Sequence, residues 1–235
     1  MSGFTYGTTL GDVLLKAAAD KPDGDAVIFP EERFTYREVL DRAIEVARSL
    51  IGLGVRRGDH VGLLMPNCPD IVFALFGITL IGAVAVPLNT RYRRRELAYV
   101  VENGDLVVVL TSDIIDEHVD FAELLQESID GVSGSDAAAP LSLDAAPRLR
   151  HIVLFGSRQA SGMISQDDFA AYGAEVPAEE VLRRSRTVRI RDVLAMLYTS
   201  GTTANPKGCL LTHEAIVRDW IVAADRIGLT GDDAF

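Results

Sequence analysis

Ten consecutive residues, Thr199-Ser200-Gly201-Thr202-Thr203-Ala204-Asn205-Pro206-Lys207-Gly208, hold four hydroxyls, two glycines and one lysine. They follow an apolar run, Val193 to Leu197, that reads as the last strand of the chain, and they precede a helix expected to start near His213. A loop in that setting can turn backbone N–H groups and hydroxyls onto an anion while the lysine supplies positive charge, which is the chemistry of phosphate binding. The Walker loop is excluded, because that pattern needs Gly before the lysine and Ser or Thr after it, whereas Pro206 and Gly208 flank Lys207 here. A surface turn of small residues has a similar composition and no ligand. The placement directly after an apolar strand favours the phosphate reading.

Other reactive side chains are scattered. His60, His118, His151 and His213 show no metal-ligand spacing, and Cys68 and Cys209 read as small packed residues. No Cys/His nucleophilic pair is visible, so no catalytic and no metal-ligating residue is assigned. Asp167 and Asp168 sit in a polar stretch and read as solvent-facing rather than as an acid/base pair. Arg91, Arg93, Arg94 and Arg95 read as a solvated helix start, with anion binding as the alternative. The arginines from 183 to 191 lack interleaved aromatics, and nucleic-acid binding is not expected.

The elements that would position the loop alternate. Helical spacing marks Leu10 to Ala19 and Tyr36 to Leu53, the latter closed by Gly54, although Phe34 and Tyr36 also read as extended. Strands are expected at Ala26 to Phe29, Val61 to Met65, Ala83 to Val86, Leu106 to Leu110 and His151 to Phe155. Helices are expected at Asp70 to Leu80, Arg94 to Glu102 and Phe121 to Ile129. Such alternation indicates an α/β fold, with mainly parallel sheet layers flanked by helices. Thr212 reads as the cap of the last helix, whose buried face would carry Ile216, Trp220 and Ala223. Residues 131–147, rich in Ala, Ser, Gly and Pro, read as a flexible insertion, and 156 to about 185 as a second irregular stretch. The run from Ile71 to Thr90 carries no charge, but Gly82 and Pro87 interrupt it. It therefore reads as a buried helix and strand rather than a transmembrane segment.

The composition sets outer bounds. Over 235 residues, 48% are apolar and 24% charged, enough to build a core and too apolar for a disordered chain. A formal charge of −11 disfavours unspecific nucleic-acid binding. Two cysteines and no basic leader ahead of an apolar stretch point to a reducing, cytoplasmic setting.

The stretch from Tyr198 to Gly208 resembles the phosphate-loop signature of the adenylate-forming (AMP-binding) superfamily, in its acyl-CoA synthetase or fatty-acid–CoA ligase branch. Upstream, Phe34-Thr35-Tyr36-Arg37-Glu38-Val39, Gly54-Val55-Arg56-Arg57-Gly58-Asp59, Leu64-Met65-Pro66-Asn67-Cys68-Pro69 and Gly82-Ala83-Val84-Ala85-Val86-Pro87-Leu88-Asn89 resemble the N-terminal half of these enzymes, in order. The resemblance implies ATP, Mg2+ and coenzyme A as cofactors and a small carboxylic acid as substrate. Thr199, Ser200, Thr202 and Thr203 would bind the β- and γ-phosphates and Lys207 would neutralise them, while Gly201 and Gly208 would allow close approach. Residues 1–235 would then be a partial adenylation domain, with the catalytic second half and the small C-terminal domain absent. An alternative is a catalytically silent truncated homologue or partner-binding fragment. Either way the sheet would expose apolar surface and favour self-association. Ala204 stands where the family has Gly or Ser, so a stiffer loop with weakened phosphate binding is expected.

Overall fold

The computed structural model describes residues 8–199, 205–230 and 233. Two reciprocal caps start the first helices. Thr9 accepts from the Asp12 amide while the Asp12 carboxylate accepts from the Thr9 amide, opening α1 (Leu10–Asp20). Thr35 and Glu38 do the same for α2 (Tyr36–Gly52). In each case two amides that a helix start leaves unpaired are satisfied at once. Tyr36 is therefore the first helical residue rather than an extended one. Between the two helices, β1 (Asp25–Ile28) and β2 (Arg33–Thr35) form a small antiparallel ladder.

The chain then builds one large sheet. Its elements are β3 (His60–Leu64), α3 (Pro69–Leu80), β4 (Val84–Pro87), α4 (Arg94–Asn103), β5 (Leu106–Ser112), α5 (Phe121–Ser128), β6 (His151–Phe155), β7 (Ile164–Ser165), α6 (Gln166–Gly173), α7 (Ala178–Ser185), β8 (Val193–Thr199), β9 (Lys207–Thr212) and α8 (His213–Ile227). The strand order is β7-β6-β5-β3-β4-β8-β9, with every neighbouring pair parallel except β8 and β9. The α/β reading of the sequence is borne out.

Helices cover both faces. On one, Ala43, Leu50, Ile78 and Val181 pack with Val61, Leu63 and Leu110. On the other, Leu97, Val100, Phe121 and Leu125 pack with Leu64, Val86, Val109 and Ile152. A strand enclosed from both sides has no polar face, and β5 is buried along its whole length. The uncharged run from Ile71 resolves into α3 and β4. Among the described residues, no helix is long and apolar enough to cross a membrane. Two glycines set the helix spacing on the first face. A Cβ on Gly77 would stand 2.8 Å from the Ala43 carbonyl oxygen, and one on Gly52 would stand 2.0 Å from the Tyr172 carbonyl oxygen.

Two stretches differ from their sequence reading. Residues 131–147 have no regular structure beyond a 3-10 turn at Val132–Gly134, yet Val132, Leu141, Leu143 and Ala146 are buried in the second core. Scattered apolar residues thus anchor a segment that composition alone marks as flexible. The stretch from 156 to 185 is not irregular, since it contains α6 and α7. Ser165 caps α6, Phe169 meets Phe155 edge-on at 5.7 Å, and Arg48 Nε donates to the Val176 carbonyl at 2.5 Å. These short helices exist through contacts with α2 and the sheet, because eight residues are too few to hold a helix alone.

Candidate functional site

Because β8 runs parallel to β4, Thr199 emerges at the same sheet edge as Pro87, the carboxyl edge at which open α/β sheets bind ligands. The chain returns from there as β9, antiparallel to β8 and paired Thr199↔Lys207 and Tyr198↔Gly208. A hydroxyl residue and a lysine therefore face each other across the mouth of a hairpin, both exposed. Directly opposed residues of an antiparallel pair have Cβ atoms about 5 Å apart, a span that phosphate oxygens can bridge. Ser200, Gly201, Thr202, Thr203 and the unusual Ala204 lie outside the described residues. The structure thus places Thr199, Lys207 and Gly208 of the expected set.

The expected passage from loop straight to helix is corrected by β9, and Val193 to Leu197 is not the last strand. The only sequence signal for β9 was the apolar pair Leu210-Leu211 ahead of Thr212. Gly208 has a packing reason for its identity, as a Cβ there would lie 2.7 Å from Met196 Sδ.

Contacts at three levels hold the described part of the hairpin. At its middle, Ala85↔Ala195 is the register pair that joins β8 to β4. Near its mouth the Tyr198 hydroxyl donates to Asn103 Oδ1 at 2.8 Å. Burial pushes the Tyr198 phenol up to about 12, with Tyr99, Tyr92 and Asp105 adding to the effect, so it stays protonated as a structural donor. The sequence marks Tyr198 as the start of the signature stretch but gives it no role of its own. At the base, Arg57 pairs with Asp192 at 2.5 Å and Arg189 donates its amide to the same carboxylate. Burial works against the Asp192 charge, but these two partners outweigh it and hold the carboxyl below its ordinary range.

The last helix starts as expected, with Thr212 accepting from the Ala215 amide at 3.2 Å. Its buried face is different. His213 and Val217 are buried and Ile216 is partly so, whereas Ala223 is exposed and Trp220 is 63% exposed. The first turns of α8 pack on Leu10 and Leu194, and Trp220 stands outside that buried cluster. Leu197 and Leu210 on the paired strands β8 and β9 are also exposed, as is Ile227 at the end of α8.

The other candidates fall outside the hairpin. Arg91, Arg93, Arg94 and Arg95 line an open groove of ≈ 960 Å³ together with Asp120, Glu123 and Glu127. Arg94 pairs with Glu127, so the groove is mixed in charge rather than basic. Arg183 and Arg184 are paired with Glu180, whose carboxyl they pull down to about 2. Asp168 belongs to the first turn of α6, bonded to Ser165. Cys68 is buried and Cys209 exposed, both free. Among the described residues, no group of three or more His, Cys, Asp or Glu side chains could hold a metal ion.

A parallel sheet that ends in a hydroxyl- and lysine-flanked hairpin matches a known pattern along nearly its full length. The family model for "AMP-binding enzyme" covers residues 14–235. The chain belongs to the AMP-binding enzyme family. Within the family it is similar to the acyl-CoA ligase sidI of Aspergillus fumigatus, at 28% identity over 227 residues that cover 96% of this chain and 37% of that protein. It is 28% identical to a crotonobetaine/carnitine–CoA ligase of Salmonella typhimurium over 220 residues, covering 91% of this chain and 38% of that one. Among solved structures it resembles the anthranilate CoA ligase AuaEII in complex with anthranoyl-AMP, with a TM-score of 0.72 and 26% identity, over 97% of this AMP-binding chain and 38% of the ligase. The N-terminal domain of FACL13 from Mycobacterium tuberculosis aligns with a TM-score of 0.64 and 26% identity, over 87% and 44% of the two chains. The chain thus spans about two fifths of the length of the curated relatives it matches, which are named as acyl-CoA synthetases or CoA ligases.

Proposed function

We propose that this AMP-binding chain supplies the phosphate-binding hairpin of an ATP-dependent carboxylate–CoA ligase. The observation that carries the reading is the pairing of Thr199 with Lys207 across the hairpin mouth, at the carboxyl edge of the parallel sheet. In such a reaction a carboxylate oxygen attacks the α-phosphorus of ATP, the bond to the bridging oxygen breaks, and pyrophosphate leaves. The coenzyme A thiolate then attacks the acyl-adenylate carbonyl and AMP departs. Thr199, Ser200, Thr202 and Thr203 would donate to the β- and γ-phosphate oxygens, with Gly201 leaving room for the backbone to approach. Lys207 would offset charge that grows on the leaving pyrophosphate, the main demand in phosphoryl chemistry. Mg2+ keeps much of its water shell and binds largely through substrate phosphates. That suits a mouth whose described side chains offer a hydroxyl and an ammonium rather than a carboxylate cage. Two free cysteines fit a reducing cytoplasmic setting.

A second reading, a silent or partner-binding fragment, is favoured by the exposed Leu197, Leu210 and Trp220. Exchange of labelled pyrophosphate into ATP, dependent on an added carboxylic acid, separates the two. In the full-length protein of which this chain would be the N-terminal part, the ligase reading requires exchange that Lys207→Ala abolishes. Polyphosphate binding without exchange on any acid tested supports the fragment reading.

A further inference from the structure

His213 has no exposed surface, and its Nδ1 accepts the backbone N–H of Leu10 at 3.1 Å, 203 residues earlier in the chain. The Leu10 amide is the first of α1, one of the donors that a helix start leaves without a partner. Accepting it requires a neutral ring with the proton on Nε2, and Nε2 is buried without a partner. An imidazole held this way is used on one side only.

Its position in the chain gives the contact leverage. His213 directly follows β9, and its own amide donates to the Asp192 carbonyl, closing the base of the β8–β9 hairpin beside the pair Val193↔Thr212. The hairpin meets the rest of the sheet at Ala85↔Ala195. The mouth at Thr199 and Lys207 lies roughly 20 Å along the strands from this base. The mouth has its own tether at Tyr198–Asn103, so the base is one of the two ends at which the hairpin is fixed.

We propose that His213 is a positioning residue, a neutral pin that fixes the hairpin base to the start of α1 and thereby sets where Thr199 and Lys207 stand. Protonating Nδ1 replaces an acceptor with a donor facing the Leu10 N–H, which unlatches both partners. Burial pulls the ring down to about 4, against the opposing pull of Asp192 and Asp12, so the pin is closed at neutral pH. The charged groups around it are Asp12 on α1, Asp192 with its partner Arg57 before β8, and Glu214, 4.0 Å from Arg191, at the start of α8. What the mouth binds rests on the ligase reading, but the pin does not.

The test is amide hydrogen exchange on the chain, reporting α1 and β9 separately, with α2 and α3 as internal reference. In His213→Leu, protection of α1 and of β9 should fall together by about tenfold or more, with the reference helices unchanged. His213→Asn places an acceptor oxygen near the Nδ1 position and should retain protection within about threefold while losing the acid sensitivity. The unmodified chain should lose protection of both elements between neutral pH and pH 4 as the His213 ring titrates by NMR. This arm stands even if the leucine variant does not fold. Loss at α1 with β9 unchanged would make His213 merely a cap of α1 and overturn the proposal. So would an asparagine variant as open as the leucine one, or protection in the unmodified chain that ignores protonation of the ring. Exchange is blind to ligand chemistry, so failure here and failure of the ligase reading are distinguishable.

Discussion

The Tyr198 hydroxyl donates to Asn103 Oδ1 at 2.8 Å, joining the β8 end of the hairpin to the last residue of α4. The bond ties the mouth to the sheet face that carries α4 and α5. A neutral hydrogen bond of this kind contributes about 1 kcal/mol. Tyr198→Phe should therefore lower stability by roughly that amount in urea unfolding, with the m-value unchanged. Asn103→Ala should cost a similar amount, and the double variant less than the sum. Strict additivity would show that the two side chains do not act as a pair.

His213 makes stability depend on acid. Its folded value of about 4 lies below the ordinary 6.5, so the unfolded chain binds the proton more readily between the two. The stabilisation is complete above pH 6.5 and is lost as pH falls towards 4, at up to ~1.4 kcal/mol per pH unit. Denaturant midpoints measured across that window should fall with acid in the unmodified chain and much less in His213→Asn. Parallel curves would contradict the shift.

Gly52 tolerates no side chain. The 2.0 Å approach of a Cβ to the Tyr172 carbonyl oxygen is a clash with backbone. Gly52→Ala should destabilise by about 1–3 kcal/mol, despite the better helix propensity of alanine. Thermal unfolding checks this, and a neutral or stabilised variant would mean that α6 moves freely against α2.

Trp220 and Leu210 offer apolar area without supporting the core. Trp220→Ser should change stability by less than about 0.5 kcal/mol, as surface substitutions do. Together with Leu210→Lys it should reduce self-association in sedimentation velocity at high protein concentration. An unchanged sedimentation profile would locate any association elsewhere on the chain.

Lys207 carries the charge at the mouth. Lys207→Ala should weaken pyrophosphate or ATP binding about tenfold or more in titration calorimetry, with unfolding unaffected because the side chain is exposed. Ala204→Gly should leave affinity equal or better, and a clear loss would show that the alanine does not stiffen the loop.

How much of this was legible in the sequence follows from which interactions are local. Caps such as Thr9, Thr35 and Thr212 act within three residues of themselves, and the helices they start stand where periodicity placed them. The buried strands are short apolar runs and were equally readable. The misses depend on partners far along the chain. The short helices α6 and α7 draw on α2, and Leu141 and Leu143 find a core that their own segment does not announce. Trp220 sits at a helical spacing that implies burial, but only the first turns of α8 meet α1. The candidate site was legible as composition and order, while the opposition of Thr199 and Lys207 was not, because it requires β9.

The sheet order also sets when each strand can find its neighbour during synthesis. Strands β3 to β7 can pair among themselves from residues 60–165, whereas β8 must dock beside β4 after that whole stretch has been synthesised. During translation at about 5–20 residues per second, the open edge of β4 waits for its partner. The hairpin is therefore the last part of the described sheet to become available, and failed docking leaves an apolar strand edge bare on the nascent protein. Substitutions that loosen the hairpin should thus reduce the yield of soluble chain in the cell before any effect on ligand binding is seen.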